Sequence, residues 1–383
     1  MQTDDWVIIG GGLHGVCAAR ALAERGASVC IFEPAGQLLD RWAVRGKAVA
    51  MTWMRSPANH HLDAPPVSLH HFLHRPENAD LAPLGGAFRR PSYEAFNRHS
   101  REVIAENELD ELVVQAKVES IRAEGNQLLV EGAGHLRRAR RVLLATGSNV
   151  PRVPQWAREP MREGAPIHHV FDAEGGPWHD LIGGGISALQ RALMIRRATR
   201  QTVRVWMRAP MRVSEFDFNW LWAKHKFMNQ WSRMDETERN VFLDRHPQRG
   251  SIPPNLQKRI AQAIRSGQIE IEHGVPNVEW NASKAQLLLH GEHRTVESAG
   301  LTLATGFEPE TVPGWLHPIT EQLGLTTARG PRGLPRLDNE MHWGGNIYAS
   351  GPLARLRLGP MASTIVGARW ATSSLPGTRM QPV

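Results

Sequence analysis

The chain has 383 residues, of which 41% are hydrophobic and 22% are charged, so a globular protein with two domains is expected. No run of about 18 apolar residues occurs, and the first strand begins within a few residues of Met1, so a cytoplasmic protein without a membrane partner is expected. The net charge of +7 comes from scattered arginines, which favours a basic rim for an anionic ligand over nucleic-acid binding.

The first glycine turn follows the predicted strand over residues 6–9 and fits G-x-G-x-x-G at Gly10, Gly12 and Gly15. The first of these glycines permits a tight turn, the second lets the backbone approach a pyrophosphate, and the third lets the helix pack close to the strand. A helix over 16–25 and a strand over 28–32 are predicted next. That strand ends at Glu33, whose carboxylate can accept hydrogen bonds from both ribose hydroxyls of an adenosine. This context predicts a βαβ unit that binds FAD.

Two cysteines, Cys17 and Cys30, occur in the whole chain, and both fall within this first unit. They do not form a C-x-x-C pair, so dithiol redox chemistry lacks its residues. Two small buried thiols are expected.

Residues 34–84 are predicted to form a long irregular loop, which in a compact enzyme is usually functional. Histidine pairs at 60–61 and 70–71 invite a metal interpretation, but adjacent histidines on a loop point apart and Asp63 is the only nearby carboxylate, so no metal is predicted. His60 and His61 are instead predicted to line a flavin or substrate pocket, with a structural role as the alternative.

A helix over 92–107 and strands over 113–121 and 127–130 are predicted next. A buried strand then enters an Ala-Thr-Gly turn that ends at Gly147. Prolines at 151 and 154 indicate the exit from the first domain.

A second glycine turn fits G-x-G-x-x-A, with Gly183, Gly185, Ser187 and Ala188 as its diagnostic residues. A helix over 187–198 and a strand over 203–207 are predicted after it. This strand ends at Arg208, where the first unit has an acidic residue. The exchange suits the 2′-phosphate of NADP, with a solvated surface arginine as the alternative.

Residues 211–266 are predicted to be mostly helical, and strands follow at 269–273, 286–290 and 296–303. The last strand enters a second Ala-Thr-Gly turn at Gly306, and such paired turns are where a chain crosses between two nucleotide domains. A further strand ends at Gly351. Gly359 is predicted to open a helix over 361–372, whose N–H groups would lie near an anionic flavin ring.

These elements predict an α/β protein with two Rossmann-like dinucleotide-binding domains. Residues 1–170 and 300–383 are assigned to an FAD-binding domain. Residues 171–299 are assigned to an NADP-binding domain inserted into it.

The order of these motifs resembles the two-dinucleotide-domain flavoproteins over nearly the whole chain. Within them it is most similar to the single-component flavin monooxygenases that N-hydroxylate ornithine and lysine. The similarity is carried by four segments: Met51–Arg55, Pro66–Leu73, Arg90–Phe96 and Leu303–Phe307. The chain departs from the family pattern at Ala299, where that motif often has Asp, and it is shorter than typical members. The Baeyer–Villiger fingerprint is absent.

The resemblance implies an NADPH- and FAD-dependent monooxygenase that forms a flavin hydroperoxide and N-hydroxylates a small amine with molecular oxygen. No side chain is required as a catalytic acid or nucleophile. Trp42 and Met51 are assigned to the cofactor site, and Arg55 lies near the family's basic substrate-contacting residue. A flavin reductase or electron-transfer protein of the same fold, and a flavin-binding regulator without turnover, are the alternatives. A homo-oligomer is compatible with the sequence.

Overall fold

Two sheets of mainly parallel strands organise the computed structural model, which describes residues 3–147, 150–172, 176–217, 222, 225–246, 250–329 and 332–378. The helices are α1 (Leu13–Ala23), α2 (Asp40–Ala48), α3 (Ser68–Leu73), α4 (Tyr93–Glu106), α5 (Gln155–Arg162), α6 (Ile186–Thr199), α7 (His225–Arg233), α8 (Glu236–Arg245), α9 (Pro254–Arg265), α10 (His317–Gln322), α11 (Arg355–Leu358) and α12 (Ile365–Ser374). The strands are β1 (Thr3–Ile9), β2 (Val29–Phe32), β3 (Val113–Val114), β4 (Ser120–Glu124), β5 (Gln127–Gly132), β6 (His135–Leu144), β7 (Ile167–His169), β8 (Asp180–Ile182), β9 (Val203–Met207), β10 (Ile269–His273), β11 (Asn277–Asn281), β12 (Gln286–His290), β13 (Thr295–Ser298), β14 (Leu301–Leu303), β15 (His342–Gly344) and β16 (Ile347–Ala349).

The first unit is built on an eight-stranded sheet in the order β15-β16-β6-β1-β2-β3, with the β4–β5 hairpin joined to β6. β1 lies between β2 and β6 and runs parallel to both. Because successive side chains of a strand point to opposite faces, Trp6 and Ile8 enter one buried cluster with α1 and α12, while Val7 and Ile9 enter the cluster on the other face. Burial on both faces explains why this strand is a continuous apolar run.

The second unit has a five-stranded parallel sheet in the order β10-β9-β8-β14-β7. A separate three-stranded antiparallel sheet, β11-β12-β13, lies between β10 and β14 along the chain. β7 and β14 pair with each other, and β14 also pairs with β8. Residues 167–170 and 300–303 therefore lie with the second unit, whereas the sequence placed them in the first. The predicted domain boundaries therefore differ from the structure by one strand at each end of the second unit, β7 and β14. The reason is that the chain crosses between the units next to these strands.

α7 and α8 belong to the second unit by chain order but contact α11 of the first unit. Their aromatic side chains share a buried cluster with residues of α11 and α12. The indole N–H of Trp231 donates a hydrogen bond to the Leu356 carbonyl oxygen at 3.3 Å. These helices therefore join the two units outside the sheets, which the predicted division at 171–299 does not show.

Three predicted elements are wrong. Residues 34–84 contain α2 and α3, and α2 is packed so tightly that a Cβ at Gly46 would lie 2.3 Å from the Tyr93 hydroxyl oxygen. The strand predicted over 113–121 is broken into β3 and β4. The strand predicted over 296–303 is broken at Gly300, where a Cβ would lie 2.3 Å from the Trp178 ring, so that β13 and β14 join different sheets.

Among the described residues, no helix combines the length and the hydropathy that crossing a membrane requires.

Candidate functional site: two glycine turns and the cleft between them

The first glycine turn (residues 10–15) connects β1 to α1. Each of its three diagnostic glycines is required for a different structural reason. Gly10 has φ +110°, and a Cβ there would lie 2.6 Å from the Ala145 carbonyl oxygen. A Cβ at Gly15 would lie 1.9 Å from the Gly10 carbonyl oxygen, so helix and strand could not approach with any side chain there. A Cβ at Gly12 would meet no atom within 4 Å. The space in front of Gly12 is therefore open, and the N-terminus of α1 faces it without a capping side chain.

This open turn fits a pyrophosphate. The first N–H groups of a helix have no intrahelical partner, and the positive end of the helix dipole favours an anion there. At the end of β2, the Glu33 carboxylate accepts hydrogen bonds from the N–H groups of Gly11 (2.8 Å) and Ala35 (3.2 Å). Its remaining lone pairs can accept from ribose hydroxyls.

His14 adds a side chain to the same edge of the sheet. Its Nδ1 lies 2.7 Å from the Ser350 hydroxyl oxygen, and its ring lies against Gly351 at the end of β16. Its Nε2 is buried and has no hydrogen-bond partner among the described residues. Gly147, with φ +68°, lies just beyond the end of β6, the strand beside β16. Gly10, Glu33, Gly147 and Gly351 thus meet at one edge, as expected for the carboxyl ends of neighbouring parallel strands.

The second glycine turn (residues 183–188) repeats the construction of the first. Gly183 has φ +144°, and a Cβ there would lie 2.5 Å from the Ala304 carbonyl oxygen, just as Gly10 faces Ala145. Gly185 caps α6, and a Cβ there would meet only Gly250, at 3.6 Å. Ser187 lies in the first turn of α6. The two turns differ because Gly250 lies against the second one, whereas the first is open.

Arg208 follows β9 and is exposed, at the position that Glu33 has after β2. The described residues provide no hydrogen-bond or ion-pair partner for its guanidinium. A cation at this edge of the second sheet is available for a nucleotide phosphate.

The chain crosses between the units where the two Ala-Thr-Gly turns predict it. Pro151 and Phe307 form an antiparallel bridge, and Gly306, with φ +80°, accepts a hydrogen bond from the Arg152 N–H at 2.9 Å. Phe171 stacks on Phe307 with ring centroids 5.5 Å apart, and the Arg45 guanidinium of α2 lies 4.5 Å from the Phe307 centroid. The first unit therefore contacts the crossing directly through a cation–π interaction.

Arg55 lies in the wall of the smaller of two cavities described below, but its N–H groups are directed to protein acceptors. All five of its N–H groups have protein acceptors: the carbonyl oxygens of Glu215 (3.3 Å), Ser251 (3.2 Å) and Ser214 (2.9 Å), the Ser251 hydroxyl (3.1 Å) and the Asp217 carboxylate (2.7 Å). Ser251 is fully buried and also bonds to Asp217. These contacts give Arg55 a structural role, because a guanidinium with every donor used positions the 214–217 segment, and its contact with a substrate stays a prediction.

Arg90 completes this interdomain contact. Its Nε donates to the Arg55 carbonyl oxygen at 3.0 Å, and its two terminal nitrogens donate to the carboxylate (2.8 Å) and carbonyl (3.0 Å) of Glu215. Its guanidinium also lies over the rings of Phe88 and Phe216, at 5.1 and 5.3 Å. Arg55 and Arg90 of the first unit thus hold Ser214–Asp217 and Ser251 of the second.

Trp42 and Met51 lie together beside the first glycine turn. They pack around Met54, Phe96 and Leu13, and the Trp42 indole N–H donates to the Asn97 side-chain oxygen at 2.9 Å. The loop that bears Met51 therefore reaches the edge of the first sheet, and its contact with a flavin stays a prediction.

Four histidines, called the low-pKa histidines below, share one property. Burial is the largest cause that lowers the pKa to about 4 in each of His14, His60, His61 and His99. His61 is a structural residue: its Nδ1 accepts from the Asp63 N–H at 3.2 Å, its Nε2 lies 3.2 Å from the Pro66 carbonyl oxygen, and its ring contacts His99. This corrects its predicted place in a pocket and supports the structural alternative. Over the described residues, no three His, Cys, Asp or Glu side chains converge to hold a metal ion.

Gly359 differs from its prediction. It has φ +66° and packs against the Trp231 ring, but it begins only a 3₁₀ turn. The α-helix begins at Ile365, where the Thr364 hydroxyl accepts a hydrogen bond from the Gly367 N–H at 3.1 Å. The N-terminus of α12 is therefore capped by the protein itself.

Two cavities lie in the cleft between the units and share Trp53, Arg90 and Asn255. The smaller, of about 30 Å³, lies between the 52–55 loop and the start of α6, with Ile186 and Gln190 in its wall. The larger, of about 340 Å³, extends along the 85–88 turn to Glu215. The cleft thus lies beside the loop that follows Met51 and the helix that begins at the second glycine turn.

The sequence did not predict His14, Arg90 or Ser251 as site residues. His14 occupies a variable position of the first glycine turn, and Arg90 opens a segment that resembles the hydroxylases. The motifs around these two residues could therefore have indicated that they lie at the site. Ser251 had none, because its partners are 34 and 196 residues away.

Two glycine turns of the same construction, each at the carboxyl edge of a parallel sheet, define a protein of the two-dinucleotide oxidoreductase class. The chain belongs to the pyridine nucleotide-disulphide oxidoreductase family, whose model matches residues 4–366. This membership confirms the predicted α/β fold class and that the chain is an oxidoreductase.

Solved structures share the fold over nearly the whole chain. The reduced ornithine hydroxylase of Pseudomonas aeruginosa is 19% identical, with a TM-score of 0.75 over 97% of this chain and 98% of that chain. The cadaverine monooxygenase of Erwinia amylovora, bound to FAD, is 14% identical, with a TM-score of 0.74 over 100% and 96%. The bacillithiol disulfide reductase of Staphylococcus aureus is 19% identical, with a TM-score of 0.60 over 98% and 97%. No curated protein matches the sequence significantly.

Proposed function

We propose that this protein is an NADPH- and FAD-dependent monooxygenase that N-hydroxylates a small primary amine. The net reaction converts RNH₂, O₂, NADPH and H⁺ into RNHOH, H₂O and NADP⁺. Bound flavin would supply the transfer of electrons from NADPH to oxygen, and the protein would bind, orient and shield the reactants.

FAD is assigned to the first glycine turn. The open space at Gly12, the free N-terminus of α1 and the Glu33 carboxylate fit its pyrophosphate and ribose. The ring system would extend towards Gly351 and the loop with Met51, and the spare Nε2 of His14 lies on this path. The Thr364 hydroxyl already satisfies one of the first N–H groups of α12.

NADPH is assigned to the second glycine turn, with Arg208 at the 2′-phosphate. Gly250 lies against this turn, so the nucleotide has less room than at Gly12. The start of α6 faces the 52–55 loop across the smaller cavity, which supports an approach of the nicotinamide from this side.

The positions of the two cysteines support oxygen, rather than a disulfide, as the electron acceptor. Cys17 lies in α1 and Cys30 in β2, both are buried, and burial raises the pKa of both thiols, to about 11 for Cys30. A reductase that passes electrons through a dithiol needs reactive, accessible thiolates, and this chain has no others. The higher TM-scores with the two amine hydroxylases than with the disulfide reductase support the same choice.

The test is product analysis under ¹⁸O₂. Protein reconstituted with FAD would be given NADPH and a panel of primary amines, and product masses would be measured. We expect a hydroxylamine carrying one ¹⁸O, with flavin reduction by NADPH persisting without oxygen. NADPH consumption that yields only hydrogen peroxide or a reduced acceptor, with no labelled amine, would instead identify a reductase.

A further inference from the structure

Gly250 and Ser251 lie across the second glycine turn and are called the strap below. We propose that the strap closes the nucleotide site of the second unit and that NADPH must displace it in order to bind. This inference rests on the proposed assignment of NADPH to the second glycine turn, and it adds a conformational step to that assignment.

The two glycine turns differ in the space in front of their middle glycine, which is where a pyrophosphate would approach the start of the helix. At Gly12, a Cβ would meet no atom within 4 Å. At Gly185, a Cβ would lie 3.6 Å from the Gly250 Cα, and a Cβ at Gly250 would lie 3.3 Å from the Gly185 Cα. The two backbones are therefore close enough to leave no space for a phosphate group between them.

Ser251 is fully buried and is held by two charged side chains. Its N–H and its hydroxyl donate to the Asp217 carboxylate at 2.9 and 2.8 Å. Arg55 donates to its carbonyl oxygen at 3.2 Å and to its hydroxyl oxygen at 3.1 Å, and forms an ion pair with Asp217 at 2.7 Å. Because Arg55 belongs to the first unit, the strap is held closed by a contact between the units.

Ile252 fixes the strap on its C-terminal side. Its side chain is fully buried in the cluster that α6 and α9 share. Its N–H donates to the Arg212 carbonyl oxygen, and its own carbonyl oxygen accepts from the Ser214 N–H, each at 2.9 Å. Gly250, in contrast, is exposed and has no side chain to anchor it. Opening can therefore be confined to the backbone at 250–251, with the contacts of Ser251 exchanged for water.

A closed strap lowers the apparent affinity for the nucleotide, because the dissociation constant is divided by the fraction of molecules in the open form. A substitution that weakens the closed form should therefore tighten nucleotide binding. A substitution that removes a contact with the nucleotide would weaken binding instead. The sign of the change thus distinguishes a strap from a nucleotide ligand.

Ser251→Ala removes the hydroxyl that joins the strap to Asp217 and Arg55. We expect calorimetry on the oxidised FAD protein to give a dissociation constant for NADP⁺ that is roughly 2- to 10-fold lower than in the unmodified protein. The matched control is Ser298→Ala. Ser298 is another buried serine of the second unit whose hydroxyl donates to an aspartate, Asp180, at 2.7 Å, but it lies at the opposite end of β8 from the glycine turn. This control should leave the dissociation constant unchanged.

Asp217→Asn provides a second test should Ser251→Ala not fold. It keeps an oxygen for Ser251 and removes the charge that pairs with Arg55, and the Asp217 side chain is 37% exposed, so little packing is lost. We expect it also to lower the dissociation constant for NADP⁺, by about tenfold. An unchanged or higher dissociation constant in the variants that fold would overturn the inference.

Hydrogen exchange follows the strap directly in the unmodified FAD protein. The Ser251 amide is protected by Asp217, and saturating NADP⁺ should make its exchange about tenfold faster or more, because the displaced amide meets water. Equal or slower exchange in the complex would overturn the inference. Absence of NADP⁺ binding in the protein and both variants would overturn the nucleotide assignment together with the strap. Tighter binding and faster exchange without any oxygenated amine would count against the proposed N-hydroxylation alone.

Discussion

Gly12→Val is the sharpest test of where FAD binds, because the structure separates its effect on binding from any effect on folding. A Cβ at this position meets no protein atom within 4 Å, and the backbone (φ −78°, ψ −171°) is one that any residue adopts. The variant should therefore fold normally. Its side chain would occupy the space that the pyrophosphate needs.

The expected loss of affinity follows from the contacts at the N-terminus of α1. If two charge-assisted hydrogen bonds from its N–H groups to phosphate are lost, at roughly 1.5–3 kcal/mol each, binding weakens by about 3–6 kcal/mol. This corresponds to an increase of roughly 150- to 20,000-fold in the dissociation constant for FAD. Protein purified from cells should then contain little flavin.

Flavin absorbance per chain and the titration of apoprotein with FAD would measure this, with circular dichroism melting as the check on folding. Gly185→Ala is the matched control in the second glycine turn and should keep its flavin while losing affinity for NADPH. Gly15→Ala, where the Cβ would lie 1.9 Å from a carbonyl oxygen, should instead destabilise the fold. Full flavin content in Gly12→Val would refute the assignment of FAD to this turn.

Three further variants test the nucleotide preference, the thiols and the low-pKa histidines. In stopped-flow flavin reduction, Arg208→Ala should raise the KM for NADPH about 10- to 150-fold, because one charged hydrogen bond is worth roughly 1.5–3 kcal/mol. The kinetics with NADH should be almost unchanged. Equal losses for both nucleotides would contradict a contact with the 2′-phosphate. The double variant Cys17→Ala and Cys30→Ala should retain flavin reduction by NADPH, and a folded, FAD-bound protein that cannot be reduced would reopen a thiol mechanism. Because the folded-state pKa of about 4 lies below the ordinary 6.5, the unfolded chain binds more protons between these values, and the free energy of unfolding should fall as the pH is lowered from 6.5 to 4. Urea titrations across this range should show that His99→Gln reduces the slope, and an unchanged slope would exclude His99 as a contributor.

The sequence predicted the parts of the site that depend on local spacing. The three glycines of the first turn, Gly10, Gly12 and Gly15, lie within six residues, so local sequence is enough to predict the turn. Arg208 follows β9 as predicted. β9, β10 and β12 have the predicted bounds because turn residues delimit short apolar runs.

What the sequence could not predict depends on partners far along the chain. Arg55 looked like a substrate contact, but its acceptors are 159–196 residues away, and nothing near it in the chain indicates that they would use all its donors. α2 carries few apolar residues and is stabilised by packing against α4, so its sequence resembles a loop. The break at Gly300 is fixed by Trp178, which no periodicity reveals.

The docking of α7 and α8 on α11 limits how the two units can move. Two adjacent chain crossings, at residues 151 and 307, would by themselves act as a hinge and allow rotation about one line. The α7–α8 pair attaches the second unit at another point, and the contact of Arg55 with Asp217 adds one more. These contacts oppose a rotation of one unit against the other about the two crossings. Under the proposed function, we expect the hydride donor and acceptor to meet mainly by movement of the ligands in the cleft rather than by a swing of either unit.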